Sequence, residues 1–261
     1  MNSIDQLGRT LIFASIPQRV VSLVPSQTEY LYELGLQEEL IGITKFCIHP
    51  EGLLKQKKII GGTKNIDLQK ILELKPDVVI ANKEENEQEQ IEELMQHVPV
   101  WISDIYTLQD SYEMMLGLGK LFDKQTQAES IVNQIKTEFA ALQKSAEAKR
   151  VAYFIWRNPY MLAGKNTFIH HMLSELGLYN ICNDLERGDR YPSISLETLA
   201  SLQPDLIYLS SEPYPFKEKH IEECQKACPG AQVLLVDGEL FSWYGSRLKH
   251  SVKYFHTLLQ G

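Results

Sequence analysis

The sequence predicts an α/β protein with two lobes, each built on a mainly parallel sheet, that are joined by one long bridging α-helix. Three observations support this fold class. Several segments occur twice in the same order, an amphipathic helix lies between the copies, and 261 residues suffice for two domains of ordinary size.

The clearest repeat begins at residue 68 and again at residue 196, an offset of 128. The first copy reads LQKILELKPDVVI and the second reads LETLASLQPDLIY. Each copy predicts a helix, a turn at a Pro-Asp pair and then a buried strand of apolar residues. Because the offset is the same for helix and strand, one structural unit is expected to occur twice.

Two further pairs of segments follow in the same order. YLYELGL begins at residue 30 and MLSELGL at residue 172, and each predicts a helix that ends at a glycine. Residues 91–93 and 221–223 both read IEE, and each opens a helix that leads to a strand. A Pro-Asp turn alone is common, but three pairs in one order indicate duplicated lobes.

Residues 124–147 form the predicted bridging helix. They contain no Gly or Pro, and at 1.5 Å per residue they would extend about 36 Å. An ordinary surface helix would show the same pattern, and the flanking repeats favour the bridge. The apolar residues recur at spacings of three and four: Ala128, Ile131, Val132, Ile135, Phe139 and Leu142.

We therefore expect three parts: an N-terminal α/β lobe at 1–107, a helical linker with the bridging helix at 108–149, and a C-terminal α/β lobe at 150–261. Apolar runs bounded by turn residues predict the strands. They are residues 19–24, 40–44, 77–81, 98–103, 150–156 and 233–237.

Composition narrows the possible functions. A net charge of −8 supplies no basic stripe to neutralise phosphates, which disfavours nucleic acid as a partner. No apolar run reaches the length of a membrane helix. The first residues lack the basic region and cleavage site of a secretory signal. We expect a cytoplasmic protein as written, and a periplasmic one if a leader has been removed.

The loop after the first strand is the first candidate site. Pro25, Ser26 and Gln27 follow this strand, and the hydroxyl of Ser26 or Thr28 is expected to cap the next helix. Ligands of open α/β sheets bind at the carboxyl ends of the strands. A loop that only caps the helix, with no role in ligand binding, would have the same sequence pattern.

A second chemically rich loop follows the strand at residues 40–44. It contains Lys45, Phe46, Cys47 and His49. Cys47 and His49 could ligate a soft metal, form a Cys/His nucleophilic pair, or line a pocket. No third partner is evident in the sequence, so we favour the pocket over metal binding and metal binding over catalysis.

Aromatic residues collect at the expected loops of the second lobe. Trp156, Arg157 and Tyr160 follow its first strand, and the loops with Tyr191 and Trp243 add more. Loop aromatics can simply hold loops to a domain. Several of them at matching strand ends favour a cleft for a large, partly apolar ligand.

Several motifs together resemble one known family. They are the segment PQRVVSLVPSQTE beginning at Pro17, the segment LKPDVVI beginning at Leu74, and the helix between the repeats. This pattern resembles the helical-backbone substrate-binding proteins of ABC importers, which receive cobalamin, ferric siderophores or haem. The resemblance covers nearly the whole chain. It implies two Rossmann-like lobes with little hinge motion, ligand capture in the cleft between them, and no enzymatic chemistry.

By position, the resemblance also implies the site residues. Lys83, Arg157 and Arg247 would pair with ligand anions. The tryptophan that similar cobalamin receptors carry at the position of Thr63 is absent here. The ligand-binding residues implied by position are Pro25, Ser26, Gln27, Phe46, His49, Thr63, Trp156, Arg157, Tyr160, Tyr191, Trp243 and Arg247. Lys83 is added to them as a further cation expected to pair with ligand anions.

In this family an acidic residue on each lobe docks onto arginines of the importer's membrane subunits. Glu87 or Glu89 and Glu218 or Glu222 are the matching candidates. We thus expect a non-enzymatic protein that captures a cobalamin-like, ferric-siderophore or other metal-chelate ligand in the cleft between two lobes for an ABC importer. A bound cobalamin, haem or ferric chelate would be its ligand, and no resident cofactor is assigned. The alternative is a cytoplasmic metal-handling protein or enzyme that uses Cys47 and His49.

Overall fold

The structure, a computed structural model, describes residues 1–186 and 188–260. The chain forms two compact units. Unit 1 comprises Met1–Glu138 together with Tyr244–Lys249, and unit 2 comprises Phe139–Trp243 together with the chain from His250 onward.

Unit 1 contains the first seven strands and six helices. The strands are β1 Asn2–Ile4, β2 Thr10–Ile12, β3 Val20–Ser22, β4 Leu40–Ile43, β5 Lys58–Ile59, β6 Val78–Asn82 and β7 Val100–Ser103. The helices are α1 Pro25–Glu33, α2 Leu53–Gln56, α3 Leu68–Glu73, α4 Gln88–Met95, α5 Leu108–Leu121 and α6 Gln125–Ala140, whose last two residues belong to unit 2.

Unit 2 contains the remaining five strands and five helices. The strands are β8 Arg150–Trp156, β9 Met161–Leu162, β10 Tyr179–Asn180, β11 Leu206–Ser210 and β12 Gln232–Val236. The helices are α7 Phe168–Glu175, α8 Leu196–Ser201, α9 Glu218–Ala227, α10 Glu239–Ser242 and α11 Leu248–Gln260, whose first two residues belong to unit 1, with a 3-10 turn at Ile181–Asp184.

The two main sheets share one topology. Unit 1 orders its parallel strands β5-β4-β3-β6-β7, and unit 2 orders its parallel strands β10-β8-β11-β12, with the short β9 antiparallel to β8. In each sheet the chain first adds strands on one side of β3 or β8 and then on the other. This arrangement confirms the predicted fold class, two α/β lobes with mainly parallel sheets.

The sequence repeat is a structural repeat at the same offset. Helices α3 and α8 begin at residues 68 and 196, and strands β6 and β11 begin at 78 and 206. Ile71 and Val79 are fully buried in the core of unit 1, and Leu199 and Ile207 are fully buried at the equivalent positions of unit 2. Truncating such a side chain to alanine typically costs about 2–5 kcal/mol.

An arginine closes the helix–strand connection of the repeat in unit 1. The guanidinium of Arg19 donates to the carbonyl of Leu74 at 2.6 Å, and Asp77 accepts the backbone N–H of Arg19 at 2.9 Å. The guanidinium thereby satisfies a carbonyl that the helix end leaves without an intrahelical donor. We call these three residues the arginine clamp of unit 1.

Unit 2 contains the same clamp. Arg150 donates to the carbonyl of Leu202 at 2.7 Å, and Asp205 accepts the backbone N–H of Arg150 at 2.7 Å. Leu202 and Asp205 lie 128 residues after Leu74 and Asp77. The duplication therefore extends from secondary structure to individual hydrogen bonds.

The helix that leads from unit 1 to unit 2 is shorter than predicted. Helix α6 ends at Ala140, whereas the sequence predicted a helix to residue 147. The backbone N–H of Gln143 donates to the imidazole of His256 at 3.1 Å, and that of Ser145 donates to the carbonyl of Leu176 at 2.8 Å. These tertiary hydrogen bonds replace the intrahelical ones and end the helix. Its 16 residues extend about 24 Å.

The chain also contains an N-terminal hairpin that the sequence did not predict. Strands β1 and β2 pair antiparallel, and Asp5 accepts hydrogen bonds from the backbone N–H groups of Leu7 and Arg9, both at 3.0 Å. The Asp5 carboxylate also pairs with the Arg9 guanidinium. Strands of three residues are too short for a clear alternating pattern, so the periodicity rules missed them.

The segment Tyr244–Lys249, which we expected in the C-terminal lobe, lies in unit 1. The backbone N–H of Gly245 donates to the hydroxyl of Ser111 at 3.1 Å, and Arg247 pairs with Glu29. The three-part division expected from the sequence stays a prediction, with this segment as the clearest departure. None of the helices in the described part of the chain has the length and hydrophobicity required to cross a bilayer.

Candidate ligand-binding site

In unit 1, the candidate site lies where β3, β4, β5 and β6 end. The strand order reverses between β3 and β6, and crevices at such a reversal are the usual ligand sites of parallel sheets. Of the predicted residues of unit 1, all except Arg247 lie in loops or first helical turns at this edge. They are Pro25, Ser26, Gln27, Phe46, His49, Thr63 and Lys83.

The capping expectation for the first loop is wrong. Helix α1 begins at Pro25, and its cap residue is Val24, which provides no side-chain hydrogen bond. Ser26 and Thr28 lie inside the helix, and the Thr28 hydroxyl donates back to the Val24 carbonyl at 2.9 Å. The helix starts early because proline has a φ angle suited to the first helical position and needs no N–H acceptor there.

Although Gln27 lies in the first turn of α1 at this edge, its side chain points beneath the surface. Its side chain is fully buried and donates to the hydroxyl of Ser103, the last residue of β7. Asn82, at the end of β6, donates to the same hydroxyl at 2.9 Å. This polar layer fixes the strand ends relative to α1, so Gln27 supports the site within unit 1.

The loop after β4 places Cys47 inside and its neighbours outside. Cys47 is fully buried, and its sulfur lies 3.2 Å from the hydroxyls of Thr28 and Thr44. Burial raises the pKa of the Cys47 thiol, which disfavours a thiolate. Phe46 and Ile48 are 50% and 47% exposed. The loop therefore presents apolar side chains at the site edge.

The geometry gives metal binding little support. Within residues 1–186 and 188–260, no group of three or more His, Cys, Asp or Glu side chains is arranged to hold a metal ion. Cys47 is buried, whereas His49 is half-buried in the same loop. The metal role of Cys47 and His49 stays a prediction without a third ligand among these residues.

Thr63 and Lys83 lie in neighbouring loops of the same edge. The carbonyl of Thr63 accepts a hydrogen bond from the amide of Asn86 at 3.0 Å, which joins the loops after β5 and β6. The ammonium of Lys83 lies 2.6 Å from the carboxylate of Asp104. Lys83 is therefore already paired within unit 1.

Arg247 is paired as well. Its guanidinium makes two hydrogen bonds with the Glu29 carboxylate, at 2.9 and 2.7 Å, and the two side chains are only 13% and 12% exposed. A ligand anion would compete with Glu29 for this guanidinium. The sequence could not reveal the pair because 218 residues separate its members.

In unit 2, Trp156 is the exposed aromatic at the strand edge. It is 41% exposed, and its ring packs edge-on against Tyr214 with centroids 5.8 Å apart. Trp156 ends β8 and Tyr214 follows β11, so the contact lies at the strand reversal of this sheet. The aromatic character predicted for this edge is thus found on unit 2.

Arg157 is fixed by two neighbours. Its guanidinium makes a two-pronged ion pair with Glu223, with a shortest distance of 3.0 Å, and its Nε donates to the Tyr160 hydroxyl at 3.3 Å. The charge also lies 5.8 Å from the centre of the Tyr160 ring. Burial raises the pKa of Tyr160 to about 12, so its hydroxyl stays protonated at neutral pH.

The two remaining predicted aromatics differ in exposure. Tyr191 is half-buried, with the Arg190 guanidinium 5.9 Å from its ring centre. Trp243 is only 8% exposed, and its indole N–H donates to Glu212 at 2.9 Å. Trp243 therefore offers a ligand little surface in this structure.

The four candidate docking residues are all exposed. Glu87 and Glu89 lie at the start of α4, and Glu218 and Glu222 lie in the first turns of α9. Helices α4 and α9 follow the equivalent strands β6 and β11. The structure thus presents acidic side chains at matching places in the two units.

Two duplicated α/β units, with exposed aromatics at their strand edges, define a two-lobed ligand-binding protein. The sequence profile of the family described as "Periplasmic binding protein" matches residues 20–230. The chain belongs to this family. Its members are substrate-binding proteins, which confirms the resemblance found in the sequence and the prediction of a non-enzymatic function.

Two relatives cover most of the chain. The vitamin B12-binding protein of Pectobacterium carotovorum subsp. carotovorum is 28% identical over 241 residues, covering 90% of this chain and 85% of the relative. An ABC transporter substrate-binding lipoprotein of Bacillus subtilis, YvrC, is 26% identical over 265 residues, with 95% and 82% covered. Both are similar to this chain along nearly their whole length.

Solved structures show the same fold. The periplasmic vitamin B12-binding protein BtuF of Vibrio cholerae superposes with a TM-score of 0.75 at 22% identity, covering 94% of this chain and 97% of the other. A periplasmic heme-binding protein from Pseudomonas aeruginosa gives a TM-score of 0.77 at 24% identity, with 93% and 92% covered. Proteins with this fold thus include receptors for different metal chelates.

Proposed function

We propose that this protein captures a metal chelate of the cobalamin, haem or ferric siderophore class for an ABC importer. The observation that carries the proposal is the exposure of Phe46 and Trp156, one at the strand edge of each unit. Large exposed aromatics at such edges are typical of a binding surface for a flat, partly apolar ligand. The ligands named for the relatives have this character.

The ion pairs of the site refine this proposal. Lys83, Arg157 and Arg247 each pair with a carboxylate of their own unit. Their charges are therefore largely compensated before a ligand arrives, and breaking a partly buried pair costs free energy. Aromatic contact with Phe46 and Trp156 is thus expected to contribute more to affinity than these three cations.

Tryptophan fluorescence provides a direct test with cobalamin, haem and ferric chelates as probes. The chain has three tryptophans, and Trp101 and Trp243 are 1% and 8% exposed whereas Trp156 is 41% exposed. Haem and cobalamin absorb light in the range where tryptophan emits, so a bound ligand should quench all three tryptophans by energy transfer, and the titration gives the affinity. Trp156→Phe should weaken binding because it alters the exposed aromatic surface, and Trp243→Phe is the matched control that should retain the affinity.

Stability gives a second readout. A ligand that binds the folded state should raise the free energy of unfolding by about 2.7 kcal/mol at 100 times its dissociation constant. The absence of both quenching and stabilisation with every probe would contradict the proposal. The enzymatic alternative built on Cys47 and His49 has no support from the site, since the thiol is buried and protonated.

Transport requires docking and a location outside the cytoplasm. Glu87 or Glu89 on unit 1 and Glu218 or Glu222 on unit 2 are the proposed contacts for arginines of the membrane subunits. Fractionation of cells should find the protein in the periplasm or attached to the membrane surface, and recovery only from the cytoplasm would contradict a transport role. The location inferred from the first residues of the sequence stays a prediction until then.

Replacing all four glutamates by glutamine tests the docking surface separately. The variant should retain ligand binding but fail to stimulate ATP hydrolysis by the reconstituted importer. Gln substitutions at Glu92 and Glu93, which lie further along α4, provide a control with charge removed from the same helix. Equal stimulation by all variants would contradict the proposed contacts.

A further inference from the structure

Lys45 differs from the other cations at the strand edges. Among the residues that the structure describes, no carboxylate pairs with Lys45, although the protein carries 34 acidic and 26 basic side chains. Its ammonium instead lies 5.0 Å from the centre of the Phe46 ring. Its charge can therefore interact with a ligand without first losing an ion pair.

The position of Lys45 is set by the loop after β5. The backbone N–H of Lys45 donates to the carbonyl of Gly61 at 2.9 Å. A Cβ atom at Gly62 would lie 3.2 Å from the Phe46 ring and 3.5 Å from the Lys45 stem, so both side chains pack against this glycine. The ammonium and the ring thus form one compact feature at the edge of the sheet.

The buried Cys47 side chain keeps the neighbouring Lys45 and Phe46 side chains on the surface. The buried sulfur between the hydroxyls of Thr28 and Thr44 anchors the loop, and the backbone N–H of Ile48 donates to the carbonyl of Phe46 at 2.9 Å. Phe46 and Ile48 consequently remain about half exposed on either side of the anchor. Leaving such apolar surface in water is unfavourable, and covering it with a ligand would favour binding.

We propose that Lys45 selects ligands by charge, and that the ligand has a flat apolar body which covers Phe46 and Ile48 and an acidic group which pairs with Lys45. This inference rests on the proposed function and goes beyond it by ranking the ligands: an anionic chelate binds more tightly than a neutral one of the same shape. Cys47 is a positioning residue in this arrangement, because it acts through the loop.

The charge-dependent selection can be isolated with haem and haem dimethyl ester, which share one ring system and differ in their two carboxylates. Cobalamin serves as a chelate without free carboxylates. We expect wild-type protein to bind haem about tenfold more tightly than the ester, with affinity for haem falling as salt is added. Lys45→Met should reduce this preference to about onefold, and Lys45→Arg should restore most of it.

Lys58→Met is the matched control. Lys58 is also exposed and opens β5, at the amino end of that strand, so this variant changes the net charge equally but leaves the site edge intact. Its affinity for haem should equal that of the wild type. Melting temperatures of the three variants should agree with the wild type, because Lys45 and Lys58 are both exposed.

Each result has a defined meaning. Equal affinity of the wild type for haem and its ester, or equal effects of Lys45→Met and Lys58→Met, would overturn the role of Lys45 while leaving the proposed function intact. Failure of the wild type to bind these probes and the ferric chelates would overturn both.

Discussion

The guanidinium of Arg247 and the carboxylate of Glu29 form a two-bond ion pair between residues 218 positions apart. The pair fastens the segment Tyr244–Lys249 to helix α1 within unit 1. Lys249 and Glu33 form a second ion pair one helical turn along α1. A short C-terminal segment thereby becomes part of the N-terminal unit.

Removing one partner of the Arg247–Glu29 pair should destabilise the protein strongly. Arg247→Gln leaves the Glu29 carboxylate nearly buried without its counterion, and the expected loss is about 3 kcal/mol in the free energy of unfolding. Urea denaturation would measure it. Lys64→Gln breaks the exposed Lys64–Glu87 pair and should cost less than about 1 kcal/mol. Similar losses for the two variants would contradict this account.

The same carboxylate should make stability depend on pH. Burial raises the pKa of Glu29 above its ordinary value of 4.5, although Arg247 opposes the shift. The folded state therefore holds the proton more tightly than the unfolded state. The contribution of Glu29 is fully favourable below the ordinary pKa and declines as pH rises through the raised pKa.

Comparison with Glu29→Gln isolates this effect, since other titrating groups cancel in the difference. The stability of the wild type relative to the variant should fall as pH increases from about 4 toward neutrality. Denaturation midpoints at several pH values would show it. A difference that grows with pH would mean that the attraction of Arg247 outweighs burial.

The cysteines should be unreactive in the folded protein. All four are buried and free, and burial raises the pKa of each thiol, to about 12 for Cys182 and Cys224. A thiol reagent at pH 8 should modify none of them rapidly and all four in denaturant.

Phe46→Cys supplies an accessible thiol in the same loop as Cys47 and should add one rapidly reacting equivalent, because position 46 is half exposed. Rapid reaction of Cys47 in the native wild-type protein would show that the loop opens. That result would remove Cys47 as the anchor for Phe46 and Ile48.

Alanine substitutions at the two neighbouring glycines after β5 should have different effects on stability. Gly61 has φ of +107°, and an added Cβ would lie 2.4 Å from the carbonyl oxygen of Asn65. Gly61→Ala should therefore destabilise the protein by about 1–3 kcal/mol. Calorimetry or urea unfolding would measure this loss.

At Gly62 an added Cβ meets mainly the Phe46 ring, which is half exposed and can move. Gly62→Ala should therefore leave stability nearly unchanged and alter ligand affinity instead. The reverse pattern, a stable Gly61→Ala and an unstable Gly62→Ala, would contradict the packing described for this loop.

The sequence predicted the parts of the fold that depend on local pattern. The repeat of residues 68–80 at residue 196 gave helix, turn and strand in both units because burial periodicity and the Pro-Asp turn act over a few residues. The early end of α6 was not predictable in this way. It depends on His256 and Leu176, which are distant in the chain.

The candidate site likewise has features that the local sequence predicts and features that depend on tertiary contacts. Placement of Phe46, Trp156 and Lys83 near strand ends follows from the order of elements in a parallel sheet. The order of elements does not predict that Gln27 and Trp243 are buried, nor which carboxylates pair with the cations. These features depend on side chains from other elements. Lys45 carried a local signal, its position beside Phe46 at a strand exit. Its distinguishing feature, that no carboxylate among residues 1–186 and 188–260 pairs with it, depends on the tertiary structure.

The paired arginine clamps have a consequence for how such a protein can change. Both clamps lie at the amino ends of the strands, where Arg19 and Arg150 join the same kinds of backbone groups. At the opposite ends the two units differ, with a cysteine-anchored loop in one and a tryptophan–tyrosine contact in the other. The amino ends of the strands thus keep the same hydrogen bonds in both units. Substitutions at the carboxyl ends can change which ligand is bound without breaking those hydrogen bonds.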